Sequence, residues 1–420
     1  MSAPRRAVPS RAFVSLCAAL ALTACSEATT APKPIDQLPR PLTSAEQAIV
    51  TGSSDFAFAL LRELDRSTSP DSNLFISPLS ASMALGMTAT GAAGATLDAM
   101  RNTLGLPGME IADMDASYRS LIDLLRGLDQ SVDFRIANSI WYRQGFPVEP
   151  AFLDDGKRYF DAEIAELDFT DPGAPATIND WVKRGTNGKI EKIVEDIPDS
   201  MVMYLINAIY FKGTWTYQFE KSKTSDQPFF AVNGSTPSVP LMHLSGSFLA
   251  ASTSDYQAAE LPYGGGAYSM IVVVPTKGRD VDALIESLDA AKWQAMLSGL
   301  TEQSGDVFLP RFRLEWKDSL VDALEALGMG IAFRGGEADF TRMSTVAGRN
   351  IFISSVDQKT YVDVDEDGTE AAAVTSVGMV DATSVSPTDL LRADRPFLFA
   401  IRERLSGTIL FIGKMAMPPA

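Results

Sequence analysis

A chain of 420 residues, 46% of them hydrophobic and 21% charged, is long enough for one large folded domain and is neither a disordered nor a fibrous composition. Its 53 acidic residues against 36 basic ones give a net charge of -17, which repels phosphate backbones and argues against a nucleic-acid partner. With one histidine (His243) and two cysteines, a His-rich or Cys-rich zinc site is excluded.

The first 24 residues read as an export signal, because Arg5, Arg6 and Arg11 precede an apolar run, AFVSLCAALALTA, that is too short to span a membrane as a stable helix. The order Leu22-Thr23-Ala24-Cys25 resembles a bacterial lipobox, so Cys25 is expected to carry lipid after cleavage. Cys17 leaves with the signal, and the folded body is then left without a free thiol or a disulfide. Residues 25–46, with Pro32, Pro34, Pro39 and Pro41, read as an extended tether, and residues 47–420 as a single domain without internal repeats.

Within that domain helical and extended patterns alternate. DFAFALLREL (55–64) opens the folded text, and from Pro78 the chain reads as helix, small-residue break, helix. The branched and aromatic runs YLINAIYFKGTW (204–215) and YSMIVVVP (268–275) read as buried strands. SLVDALEALGM (319–329) reads as an amphipathic helix closed by glycine. The order favours an α+β fold with extensive sheets.

Enzyme motifs are missing. A Ser-His-Asp triad would have to use His243, no G-x-S-x-G elbow occurs, and neither GAAGAT nor TNGKI ends as a phosphate-binding loop does. Asp363, Asp365, Asp367 and Gly368 imitate the start of a calcium loop, but its twelfth position is Val374 instead of glutamate. Neither a metal nor a cofactor is expected.

The stretch VDVDEDGTEAAAVTSVG (362–378) turns an acidic, glycine-containing segment into a strand-like run of small residues. Alternation places Thr369, Ala371, Ala373, Thr375 and Val377 on one uncharged face, with Glu370 and Ala372 on the other. It resembles the hinge and reactive loop of the serpins. NLFISPLSASMALGMTATGAAGAT (73–96), INAIYFKGTW (206–215), LPRFRLEW, LVDALEALGM and DRPFLFAIRERLSGTILFIGKM (394–415) are similar to further serpin blocks, in the family's order.

The resemblance implies a fold of about three β-sheets, one large and central, with eight to nine helices and an exposed reactive-centre loop. It implies a monomeric suicide inhibitor of serine proteases, with a non-inhibitory binding or structural module of the cell envelope as the alternative. It further implies a hinge at Glu366, Gly368, Thr369, Glu370, Ala371, Ala372 and Ala373, with Glu366 paired to Arg311. Ser77, Ser80 and Asn207 match the cluster beneath the opening strands and Trp215 the aromatic where insertion begins, while Gln358 stands where the family has histidine. The family's usual spacing from Glu366 implies an attacked bond at Ala382-Thr383, and counting back from Asp394 by the same resemblance gives Val385; Val380 and Asp381 lie in the same window. With no Lys or Arg from Gly368 through Leu391, the bait suits elastase-like or subtilisin-like pockets. Lipidation would place the protein at the bacterial envelope, on the outer membrane or the periplasmic or extracellular face, touching membrane through its N-terminal lipid only.

Overall fold

The computed structural model describes Met1, residues 34–369 and residues 389–419. Cys25, Glu370, Ala371, Ala372, Ala373, Val380, Asp381, Ala382, Thr383 and Val385 lie outside the described residues. In chain order the first half holds α1 (Ser44–Ser67), β1 (Leu74–Ile76), α2 (Pro78–Ala89), α3 (Gly94–Thr103), α4 (Ile111–Leu128), β2 (Val132–Arg143), α5 (Pro150–Phe160), β3 (Glu163–Leu167), α6 (Ala174–Gly185) and β4 (Met203–Thr214). The second half holds β5 (Ser225–Pro228), β6 (Ser238–Ser252), β7 (Tyr256–Tyr263), β8 (Tyr268–Pro275), α7 (Val281–Ser287), α8 (Ala290–Ser298), β9 (Thr301–Pro310), β10 (Phe312–Ser319) and α9 (Val321–Leu324). It ends in β11 (Asp357–Val364), β12 (Gly368–Thr369), β13 (Asp389–Arg392), β14 (Phe397–Glu403) and β15 (Ile409–Met415).

Local chemistry explains most boundaries. Thr43 and Glu46 form a reciprocal capping box that starts α1, and Ser77 caps α2, whose first residue is Pro78. α2 and α3 are separated at the small-residue break, and the run 268–275 forms β8 with every residue buried. The helix expected over 319–329 is shorter: α9 covers four residues and continues into a wide π-type turn, because Gly328 adopts φ +103° and ends the regular pattern. The tether boundary also shifts, since α1 begins at Ser44 and Ile35 and Leu42 already pack against the core.

The strands form two hydrogen-bonded sheets. One has six strands in the order β10-β11-β12-β4-β2-β3; the other has nine, β1-β15-β14-β8-β7-β6-β9-β13, with β5 on β6. The long β6 pairs with β9 along most of its length and with β7 at its end, so it joins two halves that would otherwise be separate sheets. With nine α-helices among the described residues, this is the expected architecture. The main core runs through α1, α2, α4 and the strands β8, β14 and β15, while Trp141, Ile178, Trp181, Ile206 and Ala208 form a second cluster beneath α6. The six-stranded sheet is thereby covered by α2 on one face and α6 on the other.

One buried acid works against this packing. Asp115 on α4 is 1% exposed, and its Oδ1 has no hydrogen-bond partner among the described residues. Burial, with Asp155 adding to it and Arg342 opposing, pushes its carboxyl up to about 8. A folded-state value above the unfolded one means that folding takes up a proton, so stability falls as pH rises from about 4 toward 8. Asp115→Asn, isosteric with the neutral acid, is expected to leave the thermal midpoint nearly unchanged at pH 4.5 and to raise it by several degrees at pH 8, as read by thermal unfolding across that range.

Candidate functional site

The site begins where β11 ends. After Val364 the chain turns through Asp365, Glu366 and Asp367 and comes back as β12, so that Thr369 pairs antiparallel with Val364 on one side and with Gly213 of β4 on the other. Asp365 closes the turn: its Oδ1 accepts the N–H groups of Asp367 (2.9 Å) and Gly368 (3.1 Å), and its own N–H donates to Gly368 O (2.9 Å). Every carbonyl of the turn is held from outside. Trp215 Nε1 donates to Asp365 O (2.9 Å), Phe219 N–H to Glu366 O (3.0 Å) and Trp215 N–H to Asp367 O (3.0 Å).

The acids of the turn are separated by partners instead of converging. Arg313 takes Asp363 (2.7 Å) and Lys221 takes Asp367 (2.7 Å). The side chain of Glu366, 1% exposed, accepts from the Arg311 guanidinium and from Thr224 Oγ1 (2.6 Å). Burial alone would raise its carboxyl; the bonds from Arg311 and Thr224 outweigh it and hold the group below the usual carboxylate range. Asp365 is shifted upward, burial outweighing its two backbone donors. These engagements leave the calcium-loop imitation without a common centre.

Gly368 is required by close approach: a methyl group there would meet Gly213 O at 2.2 Å and Thr214 Cα at 2.8 Å. Thr369 is 2% exposed, and its Oγ1 lies 2.5 Å from the hydroxyl of Tyr263. Tyr263 in turn stacks on Trp215, with centroids 4.4 Å apart and planes at 12°, and meets the ring of Phe211 edge-on. Tyr263, Thr224 and Lys221 were not legible in sequence, because each reaches the hinge from another element and none stands in a motif.

Below Thr369 the walls β4 and β11 continue without a strand between them among the described residues, and a cavity of about 580 Å³ opens there. Its lining includes Ser80, Tyr204, Ile206, Asn207, Gln358 and Thr360. The polar cluster is split between the two walls. On the β11 side, Ser77 N–H donates to Gln358 Oε1 and Gln358 Nε2 donates to Ser77 O, both at 2.9 Å, while Ser77 Oγ donates to Leu410 O (2.7 Å) and accepts from Ser80 N–H (3.3 Å). On the β4 side, Asn207 Nδ2 donates to Asn138 Oδ1 of β2 (2.7 Å), and Asn207 Oδ1 is buried without a hydrogen-bond partner among the described residues. Asn138, a buried amide in an apolar strand, is the member that sequence reading missed.

His243 sits in the other sheet, stacked on Phe308. Both Ser245 Oγ (3.3 Å) and Asp306 Oδ1 (2.9 Å) approach its Nε2, and Ser245 donates to that same Asp306 oxygen. In a triad the acid holds Nδ1 and leaves Nε2 to the nucleophile, so this trio has the residues of a triad without its geometry.

The family model described as "Serpin (serine protease inhibitor)" matches residues 51–418. The chain belongs to the serpin family. An uncharacterized serpin-like protein of Thermococcus kodakarensis is 34% identical over 89% of this chain and 86% of its own length, and human neuroserpin is 32% identical over 84% and 88%. The crystal structure of a thermophilic serpin, tengpin, in the native state superposes with a TM-score of 0.80 at 31% identity, covering 92% of this chain and 97% of that one. Protease inhibition is thus the general activity of the family in which this serpin stands.

Two outcomes check the hinge. In Tyr263→Phe the Thr369 hydroxyl loses its buried partner, at about 1 kcal/mol, and amide hydrogen exchange at Thr369 and Gly213 is expected to quicken about fivefold. The depressed carboxyl of Glu366 stabilises the turn fully above its unfolded value and loses that contribution as pH falls through the folded one. Acidification below about pH 4.5 is therefore expected to loosen the Trp215 contact, read as a change in tryptophan emission that Glu366→Gln shows already at neutral pH.

Proposed function

We propose that this serpin is a covalent, loop-insertion inhibitor of serine proteases with shallow apolar pockets, elastase-like or subtilisin-like. The observation that carries the reading is the seat of Thr369, buried between β4 and β11 and paired to both. The first residues of a new strand are already in the sheet, in the register the rest would follow. Continued downward, that register sets Ala371 between Phe211 and Val362, Ala373 between Ile209 and Thr360, and Thr375 between Asn207 and Gln358. Small side chains would enter the core face, and Thr375 would reach both halves of the polar cluster. Glu370 would fall on the opposite face, beside Lys212 and Asp363.

In this reading the protease serine oxygen attacks a loop carbonyl, with Ala382-Thr383 the preferred bond and Val380, Asp381 and Val385 as alternatives. The ester to the new C-terminal residue forms, the peptide C–N bond breaks, and the freed amine leaves with the C-terminal fragment. The chain from Glu370 to Ala382 then inserts as a strand about 43 Å long at ~3.3 Å per residue, dragging the acylated protease with it. Distortion of the oxyanion hole and triad stops the water step that would release the enzyme. The reading includes export through residues 1–24, lipidation at Cys25 and action as a monomer at the bacterial envelope, a protease being the partner.

The split cluster at Gln358 favours one competing reading, a serpin that binds without trapping. The experiment mixes residues 26–420 with pancreatic elastase, subtilisin, chymotrypsin and trypsin and reads denaturing gels and intact mass. An adduct with elastase or subtilisin, with release of the C-terminal peptide, is expected. Thr369→Arg, which forces a charge into the seat between two strands, is expected to be cleaved at the same bond with at least tenfold less adduct. Clean cleavage of the parent protein by every enzyme, with no gain in heat stability, overturns the inhibitor in favour of the binding module.

A further inference from the structure

The residues before α1 reach the element that grips the hinge. Ile35 N–H donates to Gly265 O (2.8 Å), and a methyl group placed on Gly265 would stand 3.1 Å from Ile35 Cδ1, so chain and turn are in close contact. Gly265 belongs to the turn between β7 and β8, directly after Tyr263. That turn is tied in three directions. Gly265 N–H donates to Asp129 Oδ2 (2.9 Å) at the end of α4, Gly264 N–H donates to Thr214 O (2.8 Å) at the top of β4, and Thr216 Oγ1 donates to Gly264 O (2.9 Å). Ile35 is thus one residue from the contact with β4 and two from the tyrosine that holds Thr369.

The other end of the segment is pinned as well. Arg40 makes a two-point pair with Glu46 at 2.8 and 2.6 Å and donates to Ser120 of α4 (2.7 Å). The Arg40 bond, partly offset by burial, holds the Glu46 carboxyl down at about 2. Pro39 between the pins, with Pro34 and Pro41 beside them, restricts the unbound chain, which lowers the conformational entropy lost on docking. Ile35 and Leu42 face the core while Asp36 and Gln37 face solvent.

We propose that residues 34–42 are a strap that braces the 263–266 turn and lengthens the life of the uninserted state. The proposal rests on the loop-insertion reading. Full insertion adds a strand between β4 and β11, which widens that sheet by about 4.8 Å and moves β4 relative to the nine-stranded sheet that carries the turn. The Gly264–Thr214 contact spans those two bodies at the level where Thr369 enters. A strap that binds the turn in its present place favours the arrangement in which that contact is intact, and it acts only through this difference between states.

The test compares residues 26–420 with Ile35→Asp, which sets a charge on the turn, and Ile35→Val, which keeps an apolar contact. Each is incubated without protease below its unfolding temperature, and adduct formation with subtilisin is sampled over time. Ile35→Asp is expected to lose adduct-forming capacity about ten times faster, the factor that corresponds to 1.4 kcal/mol, while its thermal midpoint rises as the loop inserts unaided. Ile35→Val is expected to match the parent. Equal lifetimes in all three proteins overturn the strap. If the parent itself forms no adduct, the inhibitor reading has failed, and amide exchange at Gly264 and Trp215 decides the strap separately: faster exchange in Ile35→Asp supports the brace, and unchanged exchange overturns it.

Discussion

The six-stranded sheet is organised around two facing edges that, among the described residues, only Gly368 and Thr369 join. Among the described residues β4 and β11 meet a common neighbour at Gly368 and Thr369 alone; below them each strand is laddered on its outer side, to β2 and to β10. An exposed strand edge offers N–H and C=O groups to any segment that can pair with them, and two such edges facing each other offer twice as many. β12 is antiparallel to both walls, so the walls run parallel to each other, and one further strand would complete both ladders in a single register. The covers on the two faces make sense in this light. α2 closes the sheet from the core side and α6 from the other, so the cavity between the walls is bounded by packing instead of by ladder bonds.

The turn between β11 and β12 holds its place by separating like charges. Asp363, Asp365, Glu366 and Asp367 fall within five positions, a density that would loosen an ordinary turn. Each is given its own counterpart: Arg313, a pair of backbone donors, Arg311 with Thr224, and Lys221. The pair at Glu366 differs from the others because its acid is buried while its arginine is 47% exposed. Removing Arg311 would leave a desolvated carboxylate beside Thr224 alone, so its loss would be felt well beyond the small worth of a surface ion pair.

Much of this was readable from the sequence, and the exceptions share a cause. The strand at 268–275, the helix break after Ala89, the closing hairpin and the pair Glu366 with Arg311 follow from local pattern or from the family's order of blocks. Gly368 was read as a flexible pivot; what the structure shows there is a different reason for glycine, the approach of Gly213 O, which leaves no room for a Cβ. Tyr263, Thr224 and Asn138 were missed because their roles depend on which strands become neighbours, and a strand's pattern records the faces it buries, not the partner it meets. The segment 34–43 was read as a tether because proline and small polar residues usually mean one; Ile35, Arg40 and Leu42 are too few to form a periodic signal, yet they bind.

On the loop-insertion reading, the split of the polar cluster shifts where resistance to opening must come from. Among the described residues the cluster's side-chain bonds do not run directly from wall to wall: Gln358 is bonded to Ser77 at the start of α2, and Asn207 to Asn138 and to Met83 Sδ (4.0 Å) of that same helix, so α2 touches both walls. Further contacts cross on the other face. The segment after α6 is fastened to that helix by Asn179, which accepts from Ile193 N–H (2.8 Å) and Val194 N–H (3.0 Å) and donates to Val194 O (2.7 Å). From there Glu195 reaches Lys317 of β10 (3.2 Å), and the Lys189 ammonium lies over the ring of Tyr361 of β11, 5.0 Å from its centroid. Exposed contacts of this kind contribute about 1 kcal/mol or less each. Ile190 and Val194 anchor that segment on the β4 side, buried with Trp141, Trp181 and Ile206, since fully burying one such side chain is worth about 1.5–3 kcal/mol. On the loop-insertion reading, an incoming strand would have to displace the contacts that run from the segment after α6 to β10 and β11, and the buried oxygen of Asn207 would be an acceptor for it.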